Sequence, residues 1–335
     1  MSALTSKLAY LAPLSVMLCL EVLGAVPMSA QGGDGAWSWR EDTTGRRADL
    51  NGVWGASPSD VFAVGAGGAI LHWDGRRWRS QQSGTSEHLT SVWGRSGSDV
   101  FAVGTNGAIV RYDGRRWRSE LSPASAILTD VWGADSTVFA ASLGGHILRR
   151  DQSGWSVDTV LPVSLFDLWG PSATDVWAIG AGGTIFHFDG SGWAVARDTV
   201  VSTMVLNAVW GRSSNDVWAV GWEDEIYCAG DFCVTANRYS RMLHWDGSAW
   251  TRTGDVLGFG PIGIAGFENE VFIVGGHARR SGILHWAGER SEWVESPVGS
   301  FAPLTYRDVW VAPNGDVFVV GDRGVVVVRS RAQGG

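Results

Sequence analysis

Lysine is nearly missing from this chain. Lys7 is the only one among 335 residues, so every later cation is an arginine or a histidine, a compositional bias that by itself points to no mechanism. Positive excess is missing too. With 26 Lys+Arg against 34 Asp+Glu the formal net charge is −8, which leaves no footprint for a nucleic-acid partner. Cysteines number three, and none stands with histidines at zinc spacing. No helical period competes with the strand pattern, and acidic tails, basic tails and low-complexity tracts are absent. Nor does any linear motif supply a nucleophile with its base, a phosphate loop or a metal triad, although catalytic residues brought in on separate loops would leave none.

What the chain does have is a repeat. The stretch LNGVWGASPSDVFAVGAGGAILHWDGRRW, from Leu50 to Trp78, recurs in recognisable copies that open at Leu50, Leu89, Leu128, Leu165, Leu206, Ile262 and Tyr306. Each copy holds VWG or a decayed form, a polar turn, D-V-[FW]-A-V-G, a glycine turn, an I-L-H-W-D-G relative and a last strand with one tryptophan. Short β-branched and aromatic runs bounded by glycine read as strands, here four per copy, a to d. A four-stranded sheet cannot bury both apolar faces alone, so copies must stack face to face, and a period of about 40 residues in an all-β chain is that of propeller blades.

The ends fit a ring. Trp39 stands as far before Trp54 as Trp78 stands before Trp93, which makes the segment around it an orphan strand d. The seventh copy stops after its strand c, at Val325 to Arg329. The reading is an all-β chain: a seven-bladed propeller of four-stranded antiparallel blades over residues 37 to 330, its last blade closed by the N-terminal strand, so that no open edge is left to aggregate. Ahead of it, residues 1 to 30, with Lys7 and the apolar run Leu8 to Leu20, read as a secretory signal peptide too short to span a membrane, and residues 31 to 36 as a short linker. Cys19 follows Val16, Met17 and Leu18 rather than a small residue, which argues against lipidation. The expected mature protein is secreted or periplasmic, free of the membrane and monomeric.

Most conspicuous residues are repeat positions. Of the 20 tryptophans, 18 occupy slots in strands a to d and serve as filler between blades; only Trp37 and Trp222 fall outside. His72, His187, His244 and His285 share one strand-c slot with Arg111, Arg149 and Arg329. A catalytic or metal histidine would be needed once, not in every blade, so the expected role is a bond to the acid that opens strand b (Asp60, Asp99, Asp175, Asp216, Asp316).

Val209 to Gly221, VWGRSSNDVWAVG, carries a resemblance: the chain is similar to secreted bacterial β-propellers of the broad WD40, YVTN and BNR-like group. HWDG at His72 to Gly75 echoes the WD dipeptide, while the Gly-His signature of WD40 repeats is missing and D-G-x-x-W is not a sialidase Asp-box. The resemblance implies binding or scaffolding more often than catalysis.

Departures from the repeat mark the expected site. The largest is the insertion 222 to 241 between strands b and c of blade five, and blade six has a longer b-to-c loop with His277, Arg279 and Arg280. Inside the insertion, Cys228 and Cys233 read as a disulfide in an exported chain. No cofactor is expected: zinc lacks two ligands, and calcium at Glu223, Asp224, Glu225 and Asp231 matches no known loop, a solvated acidic loop being the simpler account. Asp130, Asp167 and Asp308 occupy a slot near the start of strand a that other blades fill with Gly52, Ser91 or Ala208. The candidate ligand site is therefore Trp222, Glu223, Asp224, Glu225, Asp231, His277, Arg279, Arg280, Asp130, Asp167 and Asp308 on the upper face, where the b-to-c and d-to-a loops emerge. Two function classes compete: a non-catalytic binding propeller recognising a protein or glycan there, and an enzyme, a lyase or glycan hydrolase, with its site over the central channel. A separate charge feature is GRRWRS at Gly75 to Ser80 and Gly114 to Ser119, which puts Arg76, Arg77, Arg115 and Arg116 on adjacent lower-face turns, either as solvated hairpins or as a seat for a polyanion.

Overall fold

The computed structural model describes residues 37–42, 44–45, 47–197, 203–229, 232–254, 260–277, 280–287, 290–295 and 304–331. The expected signal peptide 1–30, the linker 31–36, Asp231 and Arg279 lie outside them.

Seven four-stranded sheets form, each antiparallel and, in six of them, in sequence order a-b-c-d. The seventh is the exception that closes the ring: strand a (Tyr306–Val311), strand b (Val317–Gly321) and strand c (Val326–Arg331) are completed by the N-terminal strand Trp37–Asp42. The register pairs Trp39 with Arg329 and Asp42 with Val326. In blade six the strand-a register starts one residue earlier than the sequence pattern indicates. Pro261 pairs with Gly275 as Leu50 pairs with Gly65, so Ile262 stands in the place of Asn51.

Strand alternation explains VWG. The valine enters its own sheet-to-sheet core, while the indole beside it lies against the glycine of the next blade. A Cβ on Gly94 would come within 2.7 Å of Trp54, one on Gly211 within 2.6 Å of Trp169, and one on Gly55 within 2.6 Å of Trp310 across the closing seam. Blade six has Ala265 in the tryptophan slot, and blade seven answers with Val311 in the glycine slot; both pack in one apolar cluster. Volume lost on one blade is restored on its neighbour, as close packing requires.

Strand d carries a second interblade tie. The indole N–H of Trp78 donates to Asp42 at 3.3 Å, Trp117 to Gln81 at 2.6 Å, Trp155 to Glu120 at 2.8 Å and Trp193 to Asp158 at 3.0 Å. The acceptor sits three residues after the preceding blade's strand-d tryptophan in each case. Asp42 follows Trp39 at the same distance, so the N-terminal strand acts toward blade one as every other strand d acts toward its successor.

The shared strand-c slot behaves as expected in four blades. His72 Nε2 lies 2.6 Å from Asp60, His187 2.7 Å from Asp175, His244 2.8 Å from Asp216, and Arg111 Nε 2.6 Å from Asp99. Each also stacks on the strand-b aromatic, as His72 does on Phe62 at 4.3 Å. Blade three opens strand b with Thr137, and its Arg149 approaches Asp158 at 3.9 Å instead. In blade seven the expected partner Asp316 is not used. Arg329 leans across to Glu270 of blade six at 2.8 Å, drawn between Trp37 and Phe272, at 4.5 and 5.1 Å. This gives Trp37, unexplained by the repeat, a packing role in the closing blade.

Candidate functional site at the channel mouth

Strands a line the channel, and their second and third residues make two tiers of interblade bonds. In the first tier a side chain donates to the opening carbonyl of the next blade: Asn51 to Leu89, Thr90 to Leu128 and Asn207 to Pro261, each at 2.7 Å. Blade three breaks the tier, because Thr129 Oγ1 is buried without a partner. In the second tier a side chain accepts from the next blade's backbone N–H. Leu168 donates to Asp130 at 3.1 Å, Val209 to Asp167 at 2.7 Å and Val53 to Asp308 at 2.8 Å. A β-bulge at this point of strand a turns the acids inward.

Asp130, Asp167 and Asp308 thus converge on one cavity of about 590 Å³, with Thr90, Asn207, Arg307 and Trp222 among its other walls. The three carboxyls are partly buried at the channel mouth, and desolvation there raises all three pKa values. Asp308 is pushed up to about 7, chiefly by burial. Asp167 is raised well above the usual carboxylate range by burial and then by the charge of Asp130. Arg307, the cation on the wall, is spent on Asp322 at 2.7 Å and Asp49 at 3.4 Å, across the seam between the last and first blades.

The expected loop of blade five is a ribbon. Strand b runs on as Asp216–Ala229 and strand c as Phe232–Trp245, paired to the tip, where Cys228 and Cys233 form the disulfide. Three consecutive acids in a strand cannot converge, since successive side chains take opposite faces. Glu223 pairs with the buried Arg241 at 2.5 Å, Asp224 with Arg238 at 2.7 Å, and Glu225 accepts from Asn237 and Tyr239. The expectation of an open acidic cluster at Glu223, Asp224 and Glu225 is corrected on this point, and among the described residues no group of acids, histidines or cysteines is placed to hold a metal ion. Trp222 does reach the cavity wall, with the Arg238 guanidinium over its ring at 3.9 Å. His277 and Arg280 are backbone partners across the blade-six hairpin.

Of the candidates, the structure brings together Trp222, Asp130, Asp167 and Asp308, and sets Glu223 and Asp224 apart in ion pairs and Glu225 in hydrogen bonds of its own. Sequence reading missed Asn51, Thr90, Asn207 and Arg307. Their signal was the column directly after the residue that opens strand a, polar in most copies where an apolar strand has no need of it. Arg238 was missed for a different reason: no repeat column contains it. A larger cavity, about 1290 Å³, lies on the lower face beside Trp37, Asn314 and Arg331. It opens where blade seven has no c-to-d turn, its strand d coming from the other end of the chain.

No protein-family model matches the sequence, and no curated protein is significantly similar to it. Solved structures share the fold. The WD40 β-propeller domain of Doa1 superposes with a TM-score of 0.68 at 15% identity, covering 88% of this chain and 98% of that one. YCF48 bound to D1 peptide gives 0.62 at 15%, covering 89% and 97%, and YCF48 from Cyanidioschyzon merolae gives 0.63 at 14%, covering 87% and 98%. At such identities the likeness is one of fold, and the chain is a seven-bladed β-propeller.

Proposed function

We propose that the chain is an exported, non-catalytic binding propeller that takes a segment of a protein partner on its upper face, at the channel mouth. The observation that carries this reading is the cavity walled by Trp222, Asp130, Asp167 and Asp308, whose volume of about 590 Å³ admits a few side chains. A protein segment is favoured over a glycan because Arg238 covers a face of Trp222 that a pyranose would need for stacking. YCF48, a propeller of the same fold, is bound to a peptide in one of the solved structures. Export rests on the expected signal peptide and on the Cys228–Cys233 disulfide, which an oxidising compartment sustains. Among the described residues no helix is long and apolar enough to cross a membrane.

A hydrolase or lyase is the second reading, supported by the convergence of Asp130, Asp167 and Asp308 on one cavity. Against it, each of the three carboxyls accepts a neighbouring blade's amide, so interblade bonding by itself accounts for their presence.

A displayed library of random peptides, selected on the purified full chain, tests the proposal. The best peptide should bind at least about tenfold more weakly to Trp222→Ala and to Asp167→Asn, a loss of about 1.4 kcal/mol or more. Failure to select any peptide, or equal affinity in both variants, would overturn it, and turnover of a glycan by the wild type that Asp167→Asn abolishes would transfer the site to the second reading.

A further inference from the structure

The c-to-d turns of blades one and two have a composition that folding does not require. In blade one, Asp74 Oδ1 accepts the backbone N–H groups of Arg76 and Arg77, both at 3.0 Å, with Gly75 at φ +83°. Blade two repeats it, Asp113 holding Arg115 and Arg116 at 3.0 and 2.9 Å. Blade four builds the same turn from Asp189-Gly190-Ser191-Gly192, with Asp189 Oδ1 accepting from Ser191 at 2.9 Å and Gly192 at 3.2 Å. Blade five does so with Ser248 and Ala249. The aspartate and the glycine make the turn; the two residues after them are free to vary.

In blades one and two those positions are all arginine and all exposed. Each turn holds a third arginine that neutralises its own acid, Arg79 on Asp74 at 2.7 Å and Arg118 on Asp113 at 3.2 Å. Among the described residues no carboxylate pairs with Arg76, Arg77, Arg115 or Arg116, so the turns of two adjacent blades carry four uncompensated guanidinium groups on a chain whose net charge is −8. Their bases are rigid, because Trp78 and Trp117 beside them are 8% and 6% exposed and tied to the preceding blade.

We propose that this patch on the lower face binds a linear polyanion, an acidic polysaccharide bearing carboxylate or sulfate groups. Arginine matches such oxyanions in a bidentate fork. The flanking indoles are buried and offer no platform for stacking bases, which disfavours single-stranded nucleic acid. A flat anionic membrane would meet the whole lower face, including exposed Asp135 and Asp151 of blade three and Glu268 of blade six, whereas an elongated chain crosses two neighbouring turns alone.

The test uses the full chain and its quadruple variant Arg76→Ser, Arg77→Gly, Arg115→Ser, Arg116→Gly, which installs the blade-four turn in both blades. Wild type should be retained on dextran sulfate and polygalacturonate but not on neutral dextran. Its affinity should fall with salt along a log–log slope that the variant lowers by about one for each arginine in contact, with about a tenfold or greater loss at low salt. Trp222→Ala, on the opposite face, should bind the polyanion as wild type does, which separates this proposal from the protein-binding site. Equal retention of the quadruple variant, no retention of wild type at low salt, or equal binding to vesicles of phosphatidylcholine and phosphatidylserine in equal parts would each overturn it.

Discussion

Trp250 has no acceptor for its buried indole N–H because the residue that should supply one is Ala196. Three residues after the previous strand-d tryptophan, four other blades place Asp42, Gln81, Glu120 and Asp158, and each accepts. Replacing Ala196 by Gln should therefore stabilise the protein by about 1 kcal/mol, the usual net value of such a bond. The check is a urea unfolding midpoint, which should rise in Ala196→Gln and be unmoved in Ala196→Val.

The seam between last and first blades depends on a glycine. Gly55→Ala puts a methyl group against the Trp310 indole, and overpacking of this kind costs about 1–3 kcal/mol. Gly192→Ala meets nothing within 4 Å and serves as the neutral control. A thermal melt that lowers both equally would show that the interblade lock is not the cause.

Closure by the N-terminal strand predicts what truncation does. Without residues 31–48, the ladder groups of Val326–Arg331 lose their partners and become an exposed edge. Light scattering should report aggregation of the truncated chain; a monodisperse product with an unchanged melting temperature would mean that the strand does not hold the ring.

The channel acids set a pH dependence whose sign differs from that of the turns. Asp308 has its pKa raised to about 7, so between its unfolded value near 3.8 and about 7 the native state holds more protons than the unfolded one. Stability from this group is greatest at low pH and declines as pH rises through about 7. Asp74, Asp189 and Asp246, held near 2 by hydrogen bonds to their turns, act oppositely and lose their contribution only as pH falls below about 3.8. Melting temperatures taken between pH 5 and pH 8 should decline with pH in wild type and decline less in Asp308→Ala. A variant slope equal to that of wild type would contradict the assignment.

Reduction of the disulfide should be a local event. The bridged cysteines are five positions apart at the tip of a ribbon, and the chain-entropy estimate for so short a loop is about 2 kcal/mol. Cys228→Ser with Cys233→Ser should speed proteolytic nicking of the ribbon while leaving the global melting transition in place. A large fall in that transition would show that the ribbon is part of the folding core.

The sequence by itself determined the fold, because strands, turns and period are local properties written in nearly identical copies, and because the missing fourth strand of the last copy had one visible replacement around Trp39. It determined the role of the strand-c slot within four of the blades for the same reason: a cation or imidazole and an acid in paired strands of one copy meet there, whereas Arg329 of the last blade is drawn to its neighbour's Glu270. Only the tertiary structure decided what meets across blades. Asp130, Asp167 and Asp308 face one cavity because ring closure brings together strands distant in sequence, and the same closure gives each of them a neighbour's amide to accept. Glu223, Asp224 and Glu225 look like one cluster in the sequence, yet pairing to the ribbon's tip sends them to alternate faces and to Arg241, Arg238, Asn237 and Tyr239. Adjacency in the chain is a poor guide to a site when a strand alternates its side chains, and the contacts that build this one are made between blades.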